Sequence, residues 1–204
     1  KNPLALAAGF DKSGECYRGI FRLGFSCVEI GTVTPLPQRG NNKPRVFRLI
    51  EDNAIINRYG FNNKGMQTVF KKLIKNNHRE HILGINIGPN KGSKNFVNDY
   101  KILASFLTTI ADYITINVSS PNTPGLAKYQ QKNLLEDVID STFEGMNSSK
   151  ILKPIFLKIS PDITIKNLEE IINLAIQKNI GALIISNTSK YRSKGLISIH
   201  KDQK

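Results

Sequence analysis

Short runs rich in Ile, Val and Leu alternate along this chain with longer stretches whose apolar residues recur every three or four positions. The runs at 4–9, 27–33, 82–87, 113–118, 155–159 and 182–186 predict strands. They are nearly continuous in apolar residues, as strands covered on both faces of a parallel sheet are. Between them, 14–23, 64–76, 96–110, 134–144 and 165–178 carry helical spacing. In the last, Ile165, Leu168, Ile171, Ile172, Ala175 and Ile176 share one face, Asp162 or Thr164 can cap the start, and Gly181 follows the end. The stretch 34–61 breaks the rhythm. Pro35, Pro37, Gly40 and Pro44 mark turns there, and 46–50 with 54–56 predict a small side hairpin. An insertion of that length usually serves function.

Six strand–helix units in alternation define an α/β fold, either an open doubly wound sheet or a (β/α)8 barrel. A barrel needs eight strands and about 250 residues, so 204 residues would cover about six of its eight units, whereas an open six-stranded sheet would be complete. The strand ends favour the barrel. Ala8-Gly9-Phe10-Asp11-Lys12, Gly31-Thr32, Asn86-Ile87-Gly88, the run Asn117 to Asn122, Lys158 and Ser186-Asn187-Thr188 put polar or small groups at the end of every strand. A barrel gathers its active site from many strand ends, while an open sheet binds at one switch point. The expectation is a TIM barrel, with residues 1–204 as one incomplete domain lacking the last two strands.

Composition removes other classes. The chain is 40% hydrophobic, enough for one sizeable core, and no apolar run approaches the roughly 18 residues of a membrane span. Two cysteines, Cys16 and Cys27, are too few for a disulfide framework, and both are expected in the core. The 29 basic against 16 acidic residues leave +13, which attracts nucleic acid, anionic lipid or small anions. The basic residues are spread out and not interleaved with aromatics, so no nucleic-acid partner is expected. His78 and His81 are spaced like metal ligands, but no further ligand supports them; they are expected as exposed helix-end residues, with no metal site.

The candidate chemistry is uncharged amides beside two ammonium groups. Asn57, Asn62, Asn63, Asn86, Asn117, Asn122 and Asn187 suit a planar heterocycle with alternating carbonyl and N–H edges. Lys12 and Lys158 can stabilise a carboxylate or a developing anion. No His or carboxylate is evident as a base, which leaves Ser120, on a loop held by Pro121 and Pro124. On the residues alone, a lyase forming a Schiff base through Lys158 and an anion-binding module using the net charge remain alternatives.

The stretches LAAGFDKSGE, VEIGTVTPLPQRGNNKPRVFRL, INRYGFNNKG, LGINIG, INVSSPNTPGL, FLKISPD and IISNTS run in order from Leu4 to Ser189. Together they resemble the class 2, quinone-linked dihydroorotate dehydrogenases. The resemblance implies a barrel flavoprotein that oxidises dihydroorotate to orotate in de novo pyrimidine synthesis, passing a hydride to FMN and electrons to a quinone. Ser120 matches the family's catalytic base, where class 1 enzymes carry cysteine. Lys12, Asn57, Arg58, Tyr59, Gly60, Phe61, Asn117, Asn122, Asn187 and Thr188 match the substrate-binding set. Ala8, Gly9, Lys12, Thr32, Asn86, Asn117, Lys158 and Ser186 match positions around FMN. Leu36 and Ala127 stand where the family pattern has arginine, and Pro89 where lysine is common. The resemblance also implies peripheral contact with the cytoplasmic face of a bacterial inner membrane, or alternatively with the mitochondrial inner membrane. That contact would come through an N-terminal extension outside these residues.

Overall fold

The computed structural model describes residues 2–75 and 81–203. In chain order it contains β1 (Ala5–Leu6), α1 (Tyr17–Arg22), β2 (Cys27–Val33), β3 (Val46–Leu49), β4 (Ala54–Asn57), α2 (Met66–Ile74) and β5 (Ile82–Ile87). There follow α3 (Phe96–Leu107), β6 (Tyr113–Asn117), a 3-10 turn at Leu126–Gln130, α4 (Lys132–Ser148), β7 (Ile155–Ile159), α5 (Ile165–Gln177) and β8 (Ala182–Ile185). Six strands form one parallel sheet in the order β1-β2-β5-β6-β7-β8. An open doubly wound sheet reverses its strand order at a switch point. This order never reverses, so right-handed crossovers put every helix on one side and the sheet curls into a half-barrel.

The inner strands β2, β5, β6 and β7 are largely covered on both faces, but the two faces differ. Val28 and Ile30, then Leu83, Ile85 and Ile87, then Ile114 and Ile116, then Ile155, Leu157 and Ile159 pack outward in one core with the helices. The alternate positions turn inward: Cys27 and Glu29, Asn86, Tyr113, Thr115 and Asn117, Phe156 and Lys158. These touch one another across strands, as in the Tyr113–Phe156 ring stack at 4.3 Å and the Glu29–Thr115 hydrogen bond at 2.7 Å. The near-continuous apolar reading therefore hid a period of two. Gly84 makes room for the inward Tyr113, whose ring would lie 2.1 Å from an added Cβ.

Several expectations shift in detail. The first helix begins at Tyr17 and not near Gly14, because Asp11 takes the preceding turn. Its two carboxylate oxygens accept the backbone N–H groups of Ser13, Glu15, Cys16 and Tyr17 at 2.8–3.3 Å. Cys16 is consequently an exposed residue just before the helix, not a core residue, and Cys27 is half-buried. Thr164 is the cap of α5, accepting from Asn167 N at 3.2 Å. The buried face of α5 is Ile171, Leu174 and Ala175, whereas Ile165, Ile172 and Ile176 are exposed. His81 stacks on Phe21 at 4.3 Å, so it is no exposed helix end; His78 and the expected helix end at Asn76 lie outside the described residues.

The hairpin is present: β3 and β4 pair antiparallel over a small separate core of Phe47, Leu49 and Ile56. The loop before it is stitched down by side chains. Asn63 accepts from Thr34 N and Gly65 N and donates to Thr34 Oγ1 and Phe61 O. Asn90 holds both sides of the Leu36 peptide, accepting from its N–H at 2.9 Å and donating to its carbonyl at 3.0 Å. Asn63 thus spends its amide on the fold and not on a ligand.

Candidate active site

A cleft of about 200 Å³ opens where the strands end. Its floor is Thr32 from β2, Asn117 from β6 and Lys158 from β7, all buried. Ala8, Gly9 and Lys12, after β1, form one side. Asn57, Tyr59, Gly60 and Phe61, from the end of β4 onward, form another. Ser120, Pro121 and Asn122, after β6, meet Asn187 and Thr188, after β8, to complete it. Through Asn57, Pro121, Asn122 and Thr188 the cleft adjoins a second cavity of about 490 Å³. A larger cavity, about 670 Å³, is at the opposite end of the strands among Phe21, Phe25, His81, Asp112, Tyr113 and Phe156, and no lysine lines it among the described residues.

Charge in the cleft is one-sided. Lys12 and Lys158 line it, and no Asp or Glu does among the described residues. Lys12 Nζ lies over the Tyr59 ring, 4.5 Å from its centroid, with the Arg45 guanidinium on the same ring at 5.7 Å. Burial first, then the positive charges of Arg45 and Lys158, lower the Lys12 pKa from 10.5 to about 8. Such a site lacks a counter-ion, and an anionic ligand would supply one.

The amides and hydroxyls are ordered by hydrogen bonds. Asn117 Oδ1 accepts from Ser119 N and Oγ at 3.1 and 2.8 Å, and Asn187 Nδ2 donates to Ser119 Oγ at 3.1 Å. The Tyr100 hydroxyl reaches from α3 to the Asn117 carbonyl at 2.9 Å, fixing the strand end. Ser120 is 5% exposed and accepts from Asn122 N at 3.3 Å. On the same loop Thr123 Oγ1 is buried with no hydrogen-bond partner among the described residues.

Of the residues singled out in the sequence, Ser120, Lys12, Asn57, Tyr59, Gly60, Phe61, Asn117, Asn122, Asn187, Thr188, Ala8, Gly9, Thr32 and Lys158 line this one cleft. Three do not. Arg58 turns away, donating to the Pro44 carbonyl at 3.0 and 3.1 Å and covering the Phe47 ring. Asn86 is fully buried one layer beneath the floor, and exposed Ser186 bonds to the Asn187 carbonyl. Sequence reasoning missed Glu29, Ser119, Tyr100 and Thr123; Glu29 alone had a signal, as the one charged residue inside the apolar second strand.

Fold and cleft together define a barrel protein with an amide-rich cleft, lined by two lysines, at its C-terminal strand ends. The dihydroorotate dehydrogenase family model matches residues 1–204, and the chain belongs to that family. It is 43% identical over 198 residues to a dihydroorotate dehydrogenase (quinone) of Rhodopseudomonas palustris (strain BisA53), covering 96% of this chain and 54% of that protein. It is 45% identical over 193 residues to the Novosphingobium aromaticivorans protein of the same name, covering 92% and 55%. A crystal structure of DHODH in complex with ferulenol from Eimeria tenella superposes with a TM-score of 0.92 at 37% identity, covering 98% of this chain and 60% of that one. The chain spans about half the length of these curated relatives.

Proposed function

We propose that this protein oxidises dihydroorotate to orotate, with FMN as cofactor and a quinone as final electron acceptor, in pyrimidine synthesis. The carrying observation is that a buried serine, two ammonium groups and four asparagines meet in one cleft with no carboxylate among the described residues. That donor set fits an anionic, carbonyl-rich pyrimidine.

The cleft also fits a flat cofactor. Ala8 and Gly9 offer bare backbone, and an added Cβ at Gly9 would meet nothing within 4 Å, so that side is open for a ring to lie along. FMN, when bound, supplies the hydride acceptor. Lys158 would stabilise negative charge at the cofactor's pyrimidine end, and Thr32 and Asn117 would line its edge. Lys12 would hold the substrate carboxylate, while Asn57, Asn122 and Asn187 orient the pyrimidine. Ser120 Oγ would take the proton from C5. A serine hydroxyl is a weak base, so its burial and a hydrogen-bonded exit for the proton matter, and the unpartnered Thr123 hydroxyl is a group available for that exit. Residues 1–204 are read as one incomplete barrel domain, and the whole protein as a peripheral one on a quinone-bearing inner membrane. Among the described residues no helix is long and apolar enough to cross a membrane.

The test uses the full-length protein, with the Ser120→Ala variant beside it. A flavin spectrum that bleaches on adding dihydroorotate without oxygen, and bleaches about 10²–10⁴-fold more slowly in the variant, is expected. Equal bleaching in both removes Ser120 as the base. Absence of bound flavin overturns the oxidoreductase reading.

A further inference from the structure

Beneath the cleft floor runs a chain of hydrogen bonds that begins at a buried carboxylate. Glu29, 4% exposed in the middle of β2, faces the barrel interior. Its Oε1 accepts from Asn86 Nδ2 at 2.9 Å and its Oε2 from Thr115 Oγ1 at 2.7 Å. No ion pair to it is present among the described residues. A buried carboxylate without a cation is costly, and a leucine would fill the space more cheaply, so packing alone does not account for it.

What a carboxylate does that no apolar residue can is accept only. Facing Glu29, the Asn86 amide must turn its NH2 down and its oxygen up. The upturned Oδ1 then accepts from Thr32 Oγ1 at 2.6 Å and from Asn117 Nδ2 at 3.1 Å. With its NH2 directed inward to Asn86 and Thr32, Asn117 is left presenting Oδ1 to the Ser119 N–H and hydroxyl. Ser119 Oγ in turn accepts from Asn187 Nδ2. Each group has one remaining choice once the group below it is set. Donor and acceptor order at Asn86 and Thr32 is thus set from one carboxylate oxygen about two layers down the barrel, and it agrees with the order that the Ser119 and Thr188 N–H groups impose on Asn117 and Asn187 from above.

We propose that Glu29 is a positioning residue, whose acceptor-only carboxylate fixes the Asn86 amide and through it the hydrogen-bonding polarity of the cleft floor that receives FMN. This rests on the FMN reading of the cleft.

The test swaps donor and acceptor across the Glu29–Asn86 contact in the full-length protein. Glu29→Gln, Asn86→Asp and the double variant are compared with the parent for FMN affinity, by quenching of flavin fluorescence, and for melting of the flavin-free protein. Glu29→Gln alone can still offer its oxygen to Asn86 and its NH2 to the Thr115 hydroxyl, so affinity within about threefold of the parent is expected. Asn86→Asp alone sets acceptor against acceptor, and a loss of about tenfold or more is expected. In the double variant the new amide donates to the new carboxylate, whose other oxygen still accepts from Thr32 and Asn117. Affinity is then expected back within about threefold of the parent.

A merely structural role would make the two lesions add, so a double variant no better than Asn86→Asp overturns the proposal. So does an Asn86→Asp variant that binds FMN like the parent. Should Asn86→Asp fail to fold, recovery of folding and FMN binding in the double variant supports the polarity, and failure of both overturns it. A parent that binds no FMN overturns this proposal together with the reading it rests on; a parent that binds FMN without reciprocal rescue overturns this one alone.

Discussion

At the scale of single residues, Lys12 carries the sharpest expectation. Burial and two neighbouring cations bring its pKa to about 8, so its charge is lost as pH rises through that value. Orotate affinity of the full-length protein is therefore expected to fall above pH 8, followed by titration at pH 7, 8 and 9. Lys12→Arg keeps the charge and flattens that fall, while Lys12→Met binds weakly throughout. The stability effect has the opposite sense. The unfolded lysine holds its proton to about 10.5 and the folded one only to about 8, so between these values the unfolded state binds more protons and this residue's contribution to stability rises with pH. Beside it, Asp11 is expected to matter for folding more than for binding. Asp11→Ala strands four N–H groups at the start of α1 and should cost about 2 kcal/mol, the upper end for helix caps, in urea unfolding. Much of the cleft was legible in the sequence because its groups sit at strand ends, where residue order alone says they converge. Orientation was not legible: Arg58 lies inside a matching motif yet points behind the hairpin, and Asn63 is consumed by the loop it closes.

Among the elements, α3 and α4 approach each other closely. Gly145 permits it, since an added Cβ would stand 2.1 Å from the Lys101 carbonyl oxygen, and the Lys101–Glu144 pair at 2.9 Å spans the same crossing. Gly145→Ala must push backbone from backbone and is expected to lower stability by about 1–3 kcal/mol, read from the urea midpoint. Removing the exposed Glu144 charge should change it by less than about 1 kcal/mol. Hydrophobic spacing located the five α-helices of the described residues, because an amphipathic stripe is a property of the local chain. It misjudged which part of the α5 stripe is buried, because that depends on the neighbour and not on the helix. The inward strand face was missed for a related reason. Tyr113, Phe156 and Cys27 count as apolar, so the alternation that separates barrel interior from helix-facing core blurred into one continuous run.

For the whole molecule, β1 and β8 are the outer strands of the sheet, and each has one side without a strand partner among the described residues. Ile185 in β8 is 76% exposed. Open parallel edges with apolar side chains recruit other chains. Residues 1–204 expressed alone are therefore expected to self-associate with rising concentration in light scattering, and Ile185→Lys to reduce that association. A fixed monomer mass at all concentrations would show the edges to be protected. The six sheet strands were legible at this scale because their alternation with helices leaves few topologies, and the polar strand ends chose the barrel among them.

The hairpin has a consequence for how the cleft behaves in time. The floor belongs to strands locked in the large core, whereas Asn57 and the residues after it extend from a hairpin whose own small core, among the described residues, is Phe47, Leu49 and Ile56 with the partly buried Ala54 and Leu196. The cleft is thus walled by two bodies of unequal firmness. Amides at 46–57 are expected to exchange with deuterium well before those of β5 and β6, through local opening that leaves the barrel intact. A ligand that bridges both bodies would slow exchange at the hairpin and leave the barrel strands as they were, so hairpin protection would register occupancy without any turnover.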